Sequence, residues 1–423
     1  MSRPRCCPLD LAPDPRRARS IGLPRLASLV RRACRARRAR PARLACLTRL
    51  ARPARLASLV PVALLLAALA APGLPAMAQQ APAAGPPTLS DVQDQVQRVL
   101  NRLEGYQHRL DVLEKKIDDV LWFERVGDVA RVDKVRIWGP PKWREESETA
   151  IGAGNPVKFY AYVILPRDVD RGGKIPLLVF PHGGVHADFS TYYAHIVREL
   201  VAQGYAVVAP EYRGSTGYGR DLYESIDYGG LEVEDAHAAR QYMLENYAVV
   251  DEERVGLIGW SHGGLISLMA AFRYPDDYAA VYAGVPVSDL ISRLGYLDDD
   301  YRALYSADYH IGQQVHENIA EYRRRSPVWH ADKLQIPLLI HTNTSDEDVN
   351  VLEVEHLIHA LKAAEKDFEY EIYRDAPGGH SFDRLDTRQA QEIRLKVYRF
   401  LARHLSPPEP LETIEELHAA GYR

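Results

Sequence analysis

Ser261 stands in the run Gly259-Trp260-Ser261-His262-Gly263-Gly264. The Gly-x-Ser-x-Gly spacing suits nucleophilic attack by the serine hydroxyl. RVGLIG (254–259) reads as a strand running into the motif and LISLMAAF (265–272) as a helix running out, the context that gives it chemical meaning. The flanking glycines let strand and helix approach while the hydroxyl projects above the turn.

A serine hydroxyl is a poor nucleophile at neutral pH, so it needs a base within reach and a carboxylate to hold that base in one tautomer. In motifs of this kind the chain order is Ser, then acid, then His. After His262 come His310, His316, His330, His341, His356, His359, His380, His404 and His418. His380 is the expected base, because Pro377-Gly378-Gly379-His380-Ser381-Phe382 is a glycine-rich loop behind the strand-like YEIYR. His356 and His359 read as helix-surface residues. For the acid, Asp346 and Asp348 share the loop after strand 337–341, where carboxylates at strand ends face a site. The pattern favours Asp346 and leaves Asp348 as a solvated loop carboxylate.

The developing oxyanion needs two fixed N–H donors. One is expected from the backbone of His262. The other is expected from His182-Gly183-Gly184, with Gly183 or Gly184 approaching the substrate and the His182 ring bracing the loop. Tyr212, Tyr218 and Trp260 are the candidates for lining a substrate pocket, although packing within the loop is the commoner role for such tyrosines. The Tyr- and Asp-rich stretch 289–325 reads as an insertion capping the site.

These residues need a scaffold that places strand ends together. VKFYAYVIL (157–165) and IPLLVFP (175–181) are the clearest strands. Helix 191–203, strand 205–210, helix 231–246, strand 254–259, helix 262–273, strand 279–285, strand 337–341 and helix 351–364 then alternate. Such alternation with apolar strands means an α/β fold, a mostly parallel sheet covered by helices on both faces. The last helix of the 126–405 catalytic domain spans about 386–404, and 406–423 reads as a polar C-terminal tail.

Ahead of that domain, Val92, Val96, Val99, Leu103, Tyr106, Leu110, Leu113, Ile117 and Val120 recur at steps of four and three. This predicts a long amphipathic helix over 89–125, with Ser90 as its N-cap. Two arrangements bury the stripe: a coiled coil between copies of the chain, making a homo-oligomer through 92–120, or the helix lying on the catalytic domain with the stripe as core.

The first 78 residues differ in kind. They hold 16 Arg and no Lys against Asp10 and Asp14, a balance of +14 that leaves −18 for residues 79–423. The apolar run 56–71 behind Arg52 and Arg55, with Ala76-Met77-Ala78, predicts a secretory signal peptide cleaved after Ala78, followed by a Pro/Ala linker over 79–88. The protein is therefore expected to be exported, periplasmic or secreted. All four cysteines (Cys6, Cys7, Cys34 and Cys46) fall in the leader, so no disulfide is expected in the mature chain. Its acidity disfavours nucleic acid as a partner. No HExxH run, paired His/Cys spacing or phosphate-cradling GKS/T loop is found, so no metal or cofactor is expected.

The segments FPHGG, APEYRGSTGYGR (209–220), GWSHGG, YRRRSPVWHADKLQIPLLIH (322–341), DEDV (346–349) and GGHSF, in this order, resemble the catalytic domain of the prolyl oligopeptidase family of serine peptidases, members of the α/β-hydrolase superfamily. The resemblance covers about 157–404. It implies the α/β-hydrolase fold, a Ser261, Asp346, His380 triad and Asp346 at the acid position of the D-x-x-V pattern. Family peptidases usually carry an N-terminal β-propeller, and a heptad helix occupies that place here. The loop HTNTSDEDV also lacks the glycine that commonly follows the His, and no acidic pair that would hold a free peptide amino terminus is found. The expected activity is hydrolysis of peptide bonds through an acyl-enzyme on Ser261. A carboxylesterase acting on small acyl or carbohydrate esters with the same triad is the alternative, and a non-catalytic oligomeric scaffold a third reading.

Overall fold

The computed structural model describes residues 88–145, 147–169 and 173–422. The Arg-rich leader, the predicted signal peptide with its expected cleavage site and residues 79–87 of the predicted linker lie outside the described residues. The first element is helix α1 (Leu89–Val126). Eight strands follow: β1 (Ala130–Pro141), β2 (Pro156–Pro166), β3 (Ile175–Val179), β4 (Ala206–Glu211), β5 (Val250–Trp260), β6 (Ala280–Gly284), β7 (Leu338–Asn343) and β8 (Glu369–Tyr373). They form one sheet in the order β1-β2-β4-β3-β5-β6-β7-β8. The β1–β2 and β2–β4 pairs are antiparallel, and from β4 through β8 all neighbours run parallel.

Why these strands read as unbroken apolar runs follows from burial on both faces. In β3 all five residues are buried. Alternate side chains then feed two cores. Leu177 and Val179 join Leu257, Val281 and Ile340 on one face, and Leu178 joins Ile258, Tyr282 and Leu339 on the other. The first core is covered by Val233, Leu265 and Leu357, the second by Ile196, Leu200 and Leu401. The parallel crossovers are made by helices α2 (Ala194–Ala202), α3 (Leu231–Asn246), α4 (His262–Arg273) and α5 (Val351–Ala363), with α6 (Arg388–Leu405) closing the sheet.

The N-cap of helix α1 lies two residues before the predicted one. Thr88 caps the helix, accepting from Asp91 N while the Asp91 carboxylate accepts from Thr88 N at 2.8 Å, a reciprocal capping pair. The helix does lie on the catalytic domain, but not by its apolar stripe. Lys115, Trp122 and Val126 are buried, whereas the nine stripe residues are exposed, from 43% at Val92 to 68% at Val120. This overturns the reading in which the stripe serves as core. Trp122 anchors the contact by stacking on Phe189 at 5.3 Å.

The expectation of a polar tail after 405 is also corrected. Residues Ile414–Gly421 form helix α7, capped by Thr413 and Glu416 in a reciprocal box. Leu417 is fully buried, Gln391 Nε2 lies 3.1 Å from His418 Nδ1, and Tyr422 donates to Asp386 at 2.6 Å. The prolines at 407, 408 and 410 end α6 without ending the fold. Among the described residues, no helix is long and apolar enough to cross a membrane.

Candidate active site

Ser261 sits between the last residue of β5 and the first of α4 with φ 57° and ψ −122°, a conformation that costs a non-glycine residue about 1–3 kcal/mol. The neighbours hold it there. Its N–H donates to Gly284 O at 3.0 Å, and its carbonyl accepts from Leu265 N at 3.0 Å and Val287 N at 3.1 Å. A side chain at Gly259 would place Cβ 2.3 Å from Gly263 O, and one at Gly263 would place it 2.2 Å from Pro181 O. These glycines are therefore steric requirements of the turn.

The loop after β3 lies directly against Ser261. A Cβ on Gly183 would meet Trp260 O at 3.1 Å and Ser261 Cβ at 3.4 Å. The Gly183 N–H is directed toward the Tyr193 hydroxyl at 3.5 Å. Gly184, at φ 86°, offers its carbonyl to His262 Nδ1 at 3.0 Å, while His262 Nε2 meets Glu232 Oε1 at 3.1 Å. The His262 ring thus ties the Ser261 turn to the glycine loop from behind. It stacks on Tyr228 at 4.0 Å.

His182 braces the same loop. Its Nδ1 bonds to Gly183 O at 3.0 Å and its Nε2 meets Ser215 Oγ at 2.9 Å. Burial pulls its pKa down to about 3, so the ring is neutral. Deeper still, Glu211 is fully buried, and burial raises its pKa to about 7 against the pull of Lys115. Lys115 reaches in from α1 to contact Glu211 Oε1 at 2.5 Å, Asp188 Oδ2 at 2.6 Å and Phe189 O at 2.7 Å. Burial acts to lower the Lys115 pKa, but Glu211 and Asp188 outweigh it and the net shift is upward.

His380 occupies a short 3₁₀ turn entered through Gly378 (φ 105°) and Gly379 (φ 53°). Its Nδ1 lies 2.8 Å from Asp346 Oδ2 and 3.0 Å from Oδ1. The Asp346 side chain is fully buried, and its Oδ1 also accepts from the N–H groups of Asp348 and Val349, each at 2.8 Å. A carboxylate held in this way fixes the ring's tautomer. Asp348 plays another part: half-exposed, it pairs with Arg293 at 2.7 Å and stands 3.8 Å from His380 Nε2. Through buried Arg293 the 289–325 insertion reaches the site from its side.

Ser261 and His380 open onto one pocket of about 200 Å³, which Gly183, Gly184, Trp260 and Asp348 also line. The structure therefore gathers Ser261, Asp346, His380, Gly183, Gly184 and His262, with Trp260 at the pocket wall. Tyr212 and Tyr218 are corrected. Tyr212 is fully buried and donates to His182 O at 2.8 Å, and Tyr218 stacks on Tyr160 at 5.2 Å. Both serve loop packing and not the pocket. Tyr193 and Arg384 line the pocket unanticipated, and Glu232, Glu211 and Lys115 support it from beneath. Their sequence neighbourhoods carry no motif, since each acts across a distance in the chain.

Comparison with known proteins bears on this geometry. The model of the "Prolyl oligopeptidase family" matches residues 191–407. The acylamino-acid-releasing enzyme of Mus musculus is 31% identical over 237 residues, covering 54% of this chain and 31% of its own. A puromycin-hydrolyzing peptidase from Mycobacterium tuberculosis superposes with a TM-score of 0.54 at 26% identity, over 67% of this chain and 41% of that one. An acylaminoacyl peptidase of Pyrococcus horikoshii, at 20% identity, shares the fold with a TM-score of 0.55 over 71% of this chain and 46% of its own. This chain spans less than half the length of each of these proteins. The family match covers half of the chain and includes the Ser261 turn and the His380 loop, so the chain belongs to the prolyl oligopeptidase family.

Proposed function

We propose that the protein is a serine peptidase that cleaves peptide bonds through an acyl-enzyme on Ser261. The observation that carries this reading is the bond from His380 Nδ1 to the buried Asp346 carboxylate, in a pocket that His380 shares with Ser261. In this reading His380 takes the Ser261 proton as Oγ attacks the carbonyl carbon and later gives it to the leaving amine. Water then hydrolyses the ester with His380 again as base. The N–H of His262 and that of Gly183 or Gly184 hold the oxyanion. The names of the relatives, acylamino-acid-releasing enzyme and puromycin-hydrolyzing peptidase, favour amide over ester as the scissile bond. The working form in this reading is a homo-oligomer assembled through the exposed 92–120 stripe, exported by the leader and cleaved after Ala78. N-terminal sequencing of the protein recovered outside the cytoplasm tests the last point.

The deciding experiment compares turnover of an amide and an ester bearing the same acyl group, with Ser261→Ala as control. Amide cleavage lost in the control is the expected result. Turnover of the ester alone would assign a carboxylesterase, and activity that survives Ser261→Ala would remove the nucleophile.

A further inference from the structure

The stripe on α1 sits on the side of the helix away from the catalytic domain. In heptad terms its a positions run from Leu89 to Ile117 and its d positions from Val92 to Val120, and all are exposed. The domain instead takes the f positions. His108 meets the Tyr223 ring at 5.0 Å, Lys115 bonds to Asp188, and Trp122 stacks on Phe189. Because f lies opposite the a/d seam, a second helix can cover the seam without displacing the domain from its own helix. Five heptads of continuous apolar surface are far more than a soluble monomer normally leaves open, and the occupant that matches such a stripe along its whole length is the same stripe on another copy.

Charge then selects the direction. The charged g positions are Arg102, Arg109 and Lys116, beside Gln95 and Phe123, and the e positions are Gln93, Leu100, Gln107, Glu114 and Leu121. In an antiparallel pair g faces g, which sets these cations against their counterparts. In a parallel pair each g faces the e of the next heptad on the other helix, so Arg109 meets Glu114 of the second copy and Arg102 meets Gln107. We infer that α1 associates with copies of itself as a parallel, in-register coiled coil, with the catalytic domains carried outside the seam. This rests on the homo-oligomer reading above and fixes its geometry. In such an assembly Lys115 and Asp118, whose carboxylate accepts from Thr191 N at 3.0 Å, tie each pocket wall to a helix held by its neighbour.

Light scattering on the purified full chain is expected to give a multiple of the single-chain mass. The double substitution Leu103→Lys, Leu110→Lys should reduce it to one chain with unchanged helix content by circular dichroism. Gln97→Lys, exposed on the same helix at a b position, should leave it intact. Direction is read from Val96→Cys in a chain whose Cys6, Cys7, Cys34 and Cys46 are changed to Ser, so that no other thiol is present. In the parallel register the two Val96→Cys sites adjoin and link on oxidation. An oligomer that fails to link overturns the parallel register and leaves the homo-oligomer reading standing. A single-chain mass for the unaltered protein overturns both, and neither result bears on Ser261.

Discussion

Asp346 and His380 meet at 2.8 Å through Nδ1, whereas Asp348, two residues on, faces Nε2 at 3.8 Å and is already paired with Arg293. Two carboxylates flank one ring, and only the first bonds to Nδ1. Asp346→Asn should therefore lower kcat by about 10⁴-fold through loss of the correct tautomer. Asp348→Asn should cost less than about tenfold, since a half-exposed charge contributes little at that distance. Steady-state kinetics on an activated ester substrate separates the two. Equal losses would undo the assignment.

Gly183 approaches Ser261 so closely that an added methyl group would press on Trp260 O at 3.1 Å and Ser261 Cβ at 3.4 Å. Pushing the loop back withdraws its N–H donors from the oxyanion, so Gly183→Ala should reduce kcat by about 10²-fold or more, the scale of one lost donor. Gly295→Ala, with nothing within 4 Å, is the control. A Gly183→Ala protein with full activity would place the second donor elsewhere.

Lys115 is the one buried lysine among the described residues, at 3% exposure, and its removal leaves Glu211 and Asp188 without their cation. Lys115→Met should destabilise the protein by about 3 kcal/mol. Adding Glu211→Gln should recover at least half of that loss, because the amide no longer needs a counter-charge. Urea unfolding of the single and double variants measures the difference. Additive losses would mean that the pair is not coupled.

How much of this was legible in the sequence depends on how local each signal is. Ser261 and its turn were readable because strand, Gly-x-Ser-x-Gly and helix are contiguous, and His380 because its loop needs Gly378 and Gly379 at positive φ. Tyr212 and Tyr218 were misplaced because YRGSTGYG looks the same whether its rings face a pocket or a neighbouring loop. The partners on the other side decide, His182 for one and Tyr160 for the other. Helix α1 shows the same limit. The 4-3 spacing announced a seam, but which face meets the domain was set by Lys115 and Trp122 finding Glu211 and Phe189. Helix α7 was hidden by the prolines before it, which forbid helix at 407–410 and say nothing about Thr413 onward.

Acid should weaken the fold through its buried histidines. His341 lies within β7, between the rings of Tyr282 and Tyr373 at 5.4 and 5.3 Å. Burial lowers its pKa to about 4, and that of His182 to about 3. In the unfolded chain each titrates near 6.5. Their contribution to stability is thus fully present above that pH and is lost as pH falls from about 6.5 toward 4. Glu211 works in the opposite sense. Its folded pKa of about 7 lies above the unfolded value of 4.5, so what it contributes grows as pH falls from 7 to 4.5. Between pH 7 and pH 5 each histidine costs about 2 kcal/mol and Glu211 returns about as much as one of them. His341→Gln, which cannot take up a proton, should make the fall in unfolding free energy between pH 7 and pH 5 smaller by about 2 kcal/mol. Urea titrations of both proteins at the two pH values check this. An equal fall in the variant would mean that His341 takes up its proton at the same pH folded and unfolded, and that the acid sensitivity lies with other groups.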